Sequence, residues 1–241
     1  MSRVALIGEN SVEYVNALLD IWNSGDCAVL LDWRIPFETA VRMMVEANVT
    51  RCCIESGKFD NKKGIFPESI ELEAFERQSN SAELLSQYIY DKYRDNYSDN
   101  EAVVIYSSGT TGTAKGIILS HYAIQTNADA IIDYMKPIPD DCFYICKTIS
   151  HSSTLVGELL VALKLKMRLI MAPIIVPPRY VLSNIEKFGV TILCVNPTLL
   201  SMYADAYNQS RFNLSSLRTI YVSGSILNNK IYEKAHTVFS N

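Results

Sequence analysis

The strand-length apolar runs of this chain limit its fold more than any other feature. Cys27 to Leu31 carries no polar residue at all, which is the pattern of a strand covered on both faces rather than one with a wet side. Val4 to Ile7 and Val49 to Ile54 read as further short strands on either side of it. Between them Val12, Val15, Leu18, Leu19 and Trp22 recur at helical spacing as far as Gly25, and Ala40, Val41, Met44 and Val45 do the same after Pro36. Asn10 followed by Glu13 reads as the pair that caps the first helix. Such β-α-β-α-β alternation calls for a parallel sheet with right-handed crossovers. The expected class is α/β: a mostly parallel sheet with flanking helices, built from βαβ repeats.

The signal weakens between residues 55 and 100, where Gly57, Gly64 and Pro67 punctuate charged sequence. This stretch reads as an excursion holding one helix over residues 82–93. Beyond it the alternation resumes, with Ser120 placed to cap a helix that runs to Met135 and is ended by Pro137 and Pro139. Strands are expected over residues 143–146, 167–171, 190–195 and 217–222. The intervening helices cover residues 154–165, 178–188, 197–207 and 228–239.

Composition excludes several classes. The chain has 241 residues and a net charge of −4, with no basic stripe, so neither nucleic acid nor a membrane surface is an expected partner. No window approaches the ~18 uninterrupted apolar residues of a spanning helix, and no signal-peptide pattern opens the chain. A cytoplasmic location is therefore expected. Six cysteines lie mostly in apolar runs without a C-x-x-C pair, which reads as buried free thiols rather than a disulfide framework or a metal site.

One stretch departs from ordinary packing. In V-V-I-Y-S-S-G-T-T-G-T-A-K-G, Val103 to Gly116, an apolar strand empties into Ser, Thr and Gly residues that lead to Lys115. Glycines let backbone N–H groups converge on an anion, hydroxyls add donors, and one ammonium supplies a point charge. A plain Gly-rich turn needs only about two to five residues, and this loop is longer. The nucleoside triphosphatase pattern G-x-x-x-x-G-K-[ST] fails, because Gly116 follows Lys115.

The stretch resembles the phosphate loop of the adenylate-forming, AMP-binding superfamily of acyl- and aryl-CoA synthetases, [ST]-[SG]-G-[ST]-T-G-x-P-K-G, with Ala114 where proline is usual. Further segments resemble that superfamily in the same order: L-S-H-Y-A-I from Leu119, I-S-H-S-S-T-L-V-G from Ile149, V-N-P-T-L-L from Val195, and L-R-T-I-Y-V-S-G-S-I-L from Leu217. The run Leu30 to Pro36 looks closer to acyl-CoA synthetases than to nonribosomal adenylation domains. For His121 and Pro197 the plain structural roles, a helix start and a strand end, stand beside any ligand role.

The resemblance implies ATP-dependent activation of a small carboxylic acid to an acyl adenylate, followed by transfer to CoA or a phosphopantetheine thiol. It implies that Ser107, Ser108, Gly109, Thr110, Thr111, Gly112, Thr113 and Gly116 hold the ATP phosphates, with Lys115 as the catalytic cation. His151 and Ser152 would border the acid pocket. Gly224 and Ser225 would lie on the adenine and acyl side, a role weighed evenly with a tight turn. Magnesium is implied as an ion accompanying ATP, with no ligand assigned in this chain. The match spans residues 1–241 but reaches only the first part of the superfamily's large N-terminal domain. The Y-G-x-T-E element and the lysine-bearing C-terminal domain are not in the sequence. The expectation is therefore an incomplete unit, inactive alone, with a partner chain or self-association covering the truncated sheet. The alternative is a noncatalytic or split-enzyme binding module derived from such a ligase.

Overall fold

The computed structural model describes residues 1–107, 114–208 and 212–239, apart from the side chains of residues 61, 63 and 208. The βαβ reading of the first third holds closely. β1 (Arg3–Ile7), α1 (Val12–Asn23), β2 (Cys27–Leu31), α2 (Phe37–Glu46) and β3 (Val49–Glu55) follow one another, and β1 pairs in parallel with both β2 and β3. The cap of α1 is Ser11, whose hydroxyl accepts from the Tyr14 N–H at 3.0 Å. Asn10 does not serve there; its amide is engaged elsewhere.

The excursion is more structured than its composition suggests. β4 (Glu71–Phe75) adds a parallel edge strand beside β3, and its glutamates suit an edge that must not recruit another strand. The single expected helix over residues 82–93 resolves into a two-residue strand, β5 (Glu83–Leu84), and a shorter helix, α3 (Gln87–Lys92). β6 (Glu101–Ser107) then pairs in parallel with β2 and antiparallel with β7 (Lys115–Ser120). Lys115 and Gly116 therefore lie in a strand and not in the loop.

The remaining elements are α4 (His121–Met135), β8 (Cys142–Ile145), α5 (Ser152–Thr154), a π-helical turn (Leu155–Leu160), α6 (Val161–Leu165), β9 (Arg168–Met171), α7 (Pro178–Phe188), β10 (Ile192–Val195), α8 (Pro197–Asn208), β11 (Thr219–Val222) and α9 (Asn229–Phe239). Ser120 caps α4 as expected, by accepting from the Ala123 N–H. α4 closes on Lys136, which takes a left-handed φ of 47° while its N–H bonds to Ile132 O, ahead of the prolines.

The strands divide between two sheets, in the orders β4-β3-β1-β2-β6-β7 and β11-β10-β8-β9-β5. The fold class stands, with antiparallel pairing confined to β6–β7 and β5–β9 among the described residues. Alternation along the buried strands explains the layering. Val4, Leu6, Ala28, Leu30, Val103 and Ile105 face one core together with Phe143, Ile145, Leu169 and Ile192 from the second sheet, and residues of α1, α3, α4 and the π turn fill the space between. Ala5, Ile7, Val29 and Leu31 face outward onto α2. Cys142, Tyr144, Ile170, Leu193 and Val195 face α7, α8 and α9. Five layers result, α-β-α-β-α, and the central strands β1, β2, β8 and β10 are covered on each face, as their apolar runs require, while the edge strands β4 and β7 of the first sheet are largely exposed.

Candidate functional site

Ligands of open α/β sheets gather beyond the carboxyl ends of the strands. In the first sheet those ends carry Gly8 to Asn10 after β1, Asp32 after β2, Glu55 closing β3 and Ser107 closing β6. In the second they carry residues 146–151 after β8, Asn196 after β10, and Ser223 to Ser225 after β11.

A cavity of about 220 Å³ joins the two edges, and Leu31, Asp32, Ser107, Ala114, Ser150 and His151 are among its lining residues. Ser107 and Lys115 pair at the end of the β6–β7 ladder and form its neck. Ser108, Gly109, Thr110, Thr111, Gly112 and Thr113 lie outside the described residues. Gly116 pairs with Tyr106, and a Cβ added to it would sit 3.2 Å from Val104 Cγ1 and 3.3 Å from Tyr106 Cε1. Close strand approach is therefore a sufficient reason for glycine here. Lys115 is exposed and has no ion-pair partner among the described residues.

Asp32 at the cavity wall is bound by Arg34, through the Arg34 N–H at 2.9 Å and Nε at 2.8 Å. Burial would raise the Asp32 carboxyl, but these hydrogen bonds outweigh it and hold the group below its ordinary value. The sequence signal for Asp32 as a wall residue is its place just past the all-apolar strand β2.

His151 is exposed at the cavity and opens the helical segment after β8, with its carbonyl accepting from Leu155 N at 2.9 Å. Ser152 turns away from it into a second groove of about 300 Å³, shared with Leu119, Ala123, Ile131 and Gly157. The two residues expected to border one pocket thus flank two hollows. Beneath them Lys147 Nζ lies 2.9 Å from Glu158 Oε1, a pair that is 12% and 1% exposed. The sequence signal for this pair is the single acid within the apolar run Leu155 to Leu163.

Gly224 has φ of 90°, so glycine is needed there, and its turn abuts Asn196, whose Cβ would be 3.9 Å from an added Cβ. Ser223 N bonds to Val195 O at 3.0 Å. Gly224 and Ser225 are exposed at the end of β11, separated from β8 by β10, and line neither hollow. A further hollow of about 320 Å³ between β11, α8 and α9 touches none of the expected site residues.

His121 is buried and meets Trp22 edge-on at 5.8 Å, with burial lowering its pKa. This burial and ring contact fit a packing role at the start of α4. Glu9, Glu55, Lys58 and Arg77 form a mutually neutralising cluster at the end of the first sheet, with Lys58 Nζ 2.8 Å from Glu9 Oε1 and Arg77 Nε 3.1 Å from Glu55 Oε1. All six cysteines are free and buried.

Two parallel-dominated sheets, meeting at their carboxyl edges beside the β6–β7 neck, define an α/β domain. The chain belongs to the AMP-binding enzyme family, whose model matches residues 1–241. It is 28% identical over 229 residues to a 2-succinylbenzoate–CoA ligase of Bacillus cytotoxicus, covering 92% of this chain and 43% of that protein. An acetyl-coenzyme A synthetase of Pyrobaculum arsenaticum is 31% identical over 152 residues, covering 60% of this chain and 22% of the relative. Among solved structures, ATP-bound MatB from Rhodopseudomonas palustris superposes with a TM-score of 0.83 at 20% identity, covering 100% of this chain and 48% of that one. A long-chain-fatty-acid-CoA ligase from Archaeoglobus fulgidus gives 0.84 at 18% identity, covering 99% and 49%. The chain thus spans less than half the length of these proteins. Among the described residues no helix is long and apolar enough to cross a membrane.

Proposed function

We propose that this chain supplies the phosphate-binding part of a site that activates a carboxylic acid with ATP. The carboxylate oxygen attacks the α-phosphorus, an acyl adenylate forms and pyrophosphate leaves; the acyl group then passes to CoA or another thiol. The observation that carries this reading is the β6–β7 neck, where Lys115, without an ion-pair partner among the described residues, faces Ser107 beside a cavity walled by His151. Transfer of this kind depends chiefly on positioning and on stabilising charge. Lys115 neutralises the departing pyrophosphate, and the Ser/Thr/Gly loop donates to the phosphates. His151 borders the acid as a contact and not as a base, because a carboxylate is already ionised near neutral pH.

The relatives named as CoA ligases support the acid and thiol halves of the reading, and ATP bound to MatB supports the nucleotide. Magnesium, when present, would screen the phosphate charges. No group of three or more His, Cys, Asp or Glu among the described residues suits a metal, so no ligand is assigned to it.

The test is carboxylate-dependent exchange of pyrophosphate into ATP, measured on the natural protein that carries this chain with a panel of aryl and short-chain acids. Exchange that appears only with acid supports the reading. Its absence with every acid, in a protein that binds ATP, overturns it.

A further inference from the structure

Asn10 stands just past β1 in the first sheet and is 4% exposed, yet both described bonds of its side chain reach the second sheet. Nδ2 donates to the Lys147 carbonyl at 2.7 Å, and Oδ1 accepts from the Ile149 N–H at 3.0 Å. Those two peptide groups belong to the turn that ends in His151. Other bonds within the turn are local: Thr148 Oγ1 and Ser150 Oγ are 3.0 Å apart, and His151 N donates to Thr148 O at 3.2 Å. They shape the turn without fastening it to the opposite sheet. Since Ser11 caps α1, Asn10 is not held by that task.

A planar amide is suited to this double bond because it offers a donor and an acceptor side by side. Aspartate at the same reach keeps only the acceptor, and alanine keeps neither. A turn without such a tie would be held by its own few hydrogen bonds, and amides in weakly tied loops open at low free-energy cost.

We infer that Asn10 is a positioning residue: it ties the His151 turn of the second sheet to the first, and so sets the width of the cavity between His151 and Ser107. Its effect on chemistry rests on the acid-activation reading above. Small displacements of substrate-positioning groups weaken catalysis strongly.

The experiment compares Asn10→Ala and Asn10→Asp with wild type, using the natural protein that carries this chain. Amide hydrogen exchange at Ile149 is expected to quicken about tenfold or more in Asn10→Ala while β1 and β2 keep their protection. In pyrophosphate exchange, KM for the acid is expected to rise about tenfold and KM for ATP to stay within about twofold, with Asn10→Asp intermediate. Unchanged Ile149 exchange in a folded variant overturns the inference. So does an equal rise of both KM values, which would mark general loosening. Should wild type show no acid-dependent exchange at all, the acid-activation reading fails, and the Ile149 amide alone decides whether the tie exists. If Asn10→Ala does not fold, Asn10→Ser, which keeps one hydroxyl, carries the same comparisons.

Discussion

Lys147 Nζ meets Glu158 Oε1 at 2.9 Å under the His151 turn, and Glu158 is fully enclosed there. Burial lifts the Glu158 carboxyl from an ordinary 4.5 to about 7, against the pull of Lys147. The native state therefore holds this proton more tightly than the unfolded chain, and unfolding releases it between these values. This contribution to stability is present at low pH and is lost as pH rises from about 4.5 to about 7. Over that window Glu158→Gln should flatten the decline by up to about 3 kcal/mol, read as denaturation midpoints at several pH values. An identical slope in the variant would falsify the assignment.

Lys115→Ala in the natural protein should slow acid-dependent pyrophosphate exchange by about a hundredfold or more, in line with losing one charge-stabilising group. Binding of the acid should change little, because Lys115 sits at the hairpin neck and not among the described residues walling either hollow. Equal exchange rates in variant and wild type would remove Lys115 from the chemistry.

Gly8 has no room for a side chain. An added Cβ would lie 2.8 Å from Phe75 Cζ and 3.1 Å from Glu55 Oε2, the oxygen that accepts from the Glu9 N–H at 2.7 Å. Gly8→Ala should cost about 1–3 kcal/mol by overpacking and disturb the Glu9 cluster, which chemical denaturation would read. A neutral result would mean that Phe75 moves aside freely.

Asp141 is 1% exposed and accepts from Thr191 Oγ1 at 2.6 Å, Ile138 N at 2.8 Å and Arg218 Nε at 3.2 Å. Burial opposes its charge, but these bonds and Arg218 prevail and hold the carboxyl below its ordinary range. Its contribution is therefore present above the ordinary value of 3.8 and is lost as pH falls through the depressed one. Asp141→Ala should destabilise by about 2 kcal/mol, by removing the charged acceptor of three partly exposed donors, and should lessen sensitivity to acid. A loss below about 0.5 kcal/mol, the scale of an ordinary surface change, would show that water replaces the carboxylate.

Much of this architecture is legible in the sequence. Apolar runs mark β1 and β2, and Ser120 marks the start of α4, because each signal is local. What escaped reading was non-local. Nothing in Glu71 to Phe75 announces that it pairs with β3, since an edge strand armed with glutamate looks like a loop. The assignment of strands to two sheets depends on partners far apart in the chain. Asn10 was misread for a related reason: the N-cap rule looks three residues ahead, while its true partners stand well over a hundred positions away. At the site, Ser107, Ala114 and His151 come together, Ser152 faces another groove, and Gly224 with Ser225 lies two strands away.

β5 belongs to the first half of the chain by position and to the second sheet by pairing, where Glu83 and Leu84 meet Met171 and Ile170. The two sheets are thus interleaved and not strung end to end. A hybrid protein joined at residue 120 would hand β9 a foreign neighbour even though every other strand of the second sheet came from one parent. Crossover points for exchanging halves between relatives should therefore match the two residues of β5 to the β9 they must border.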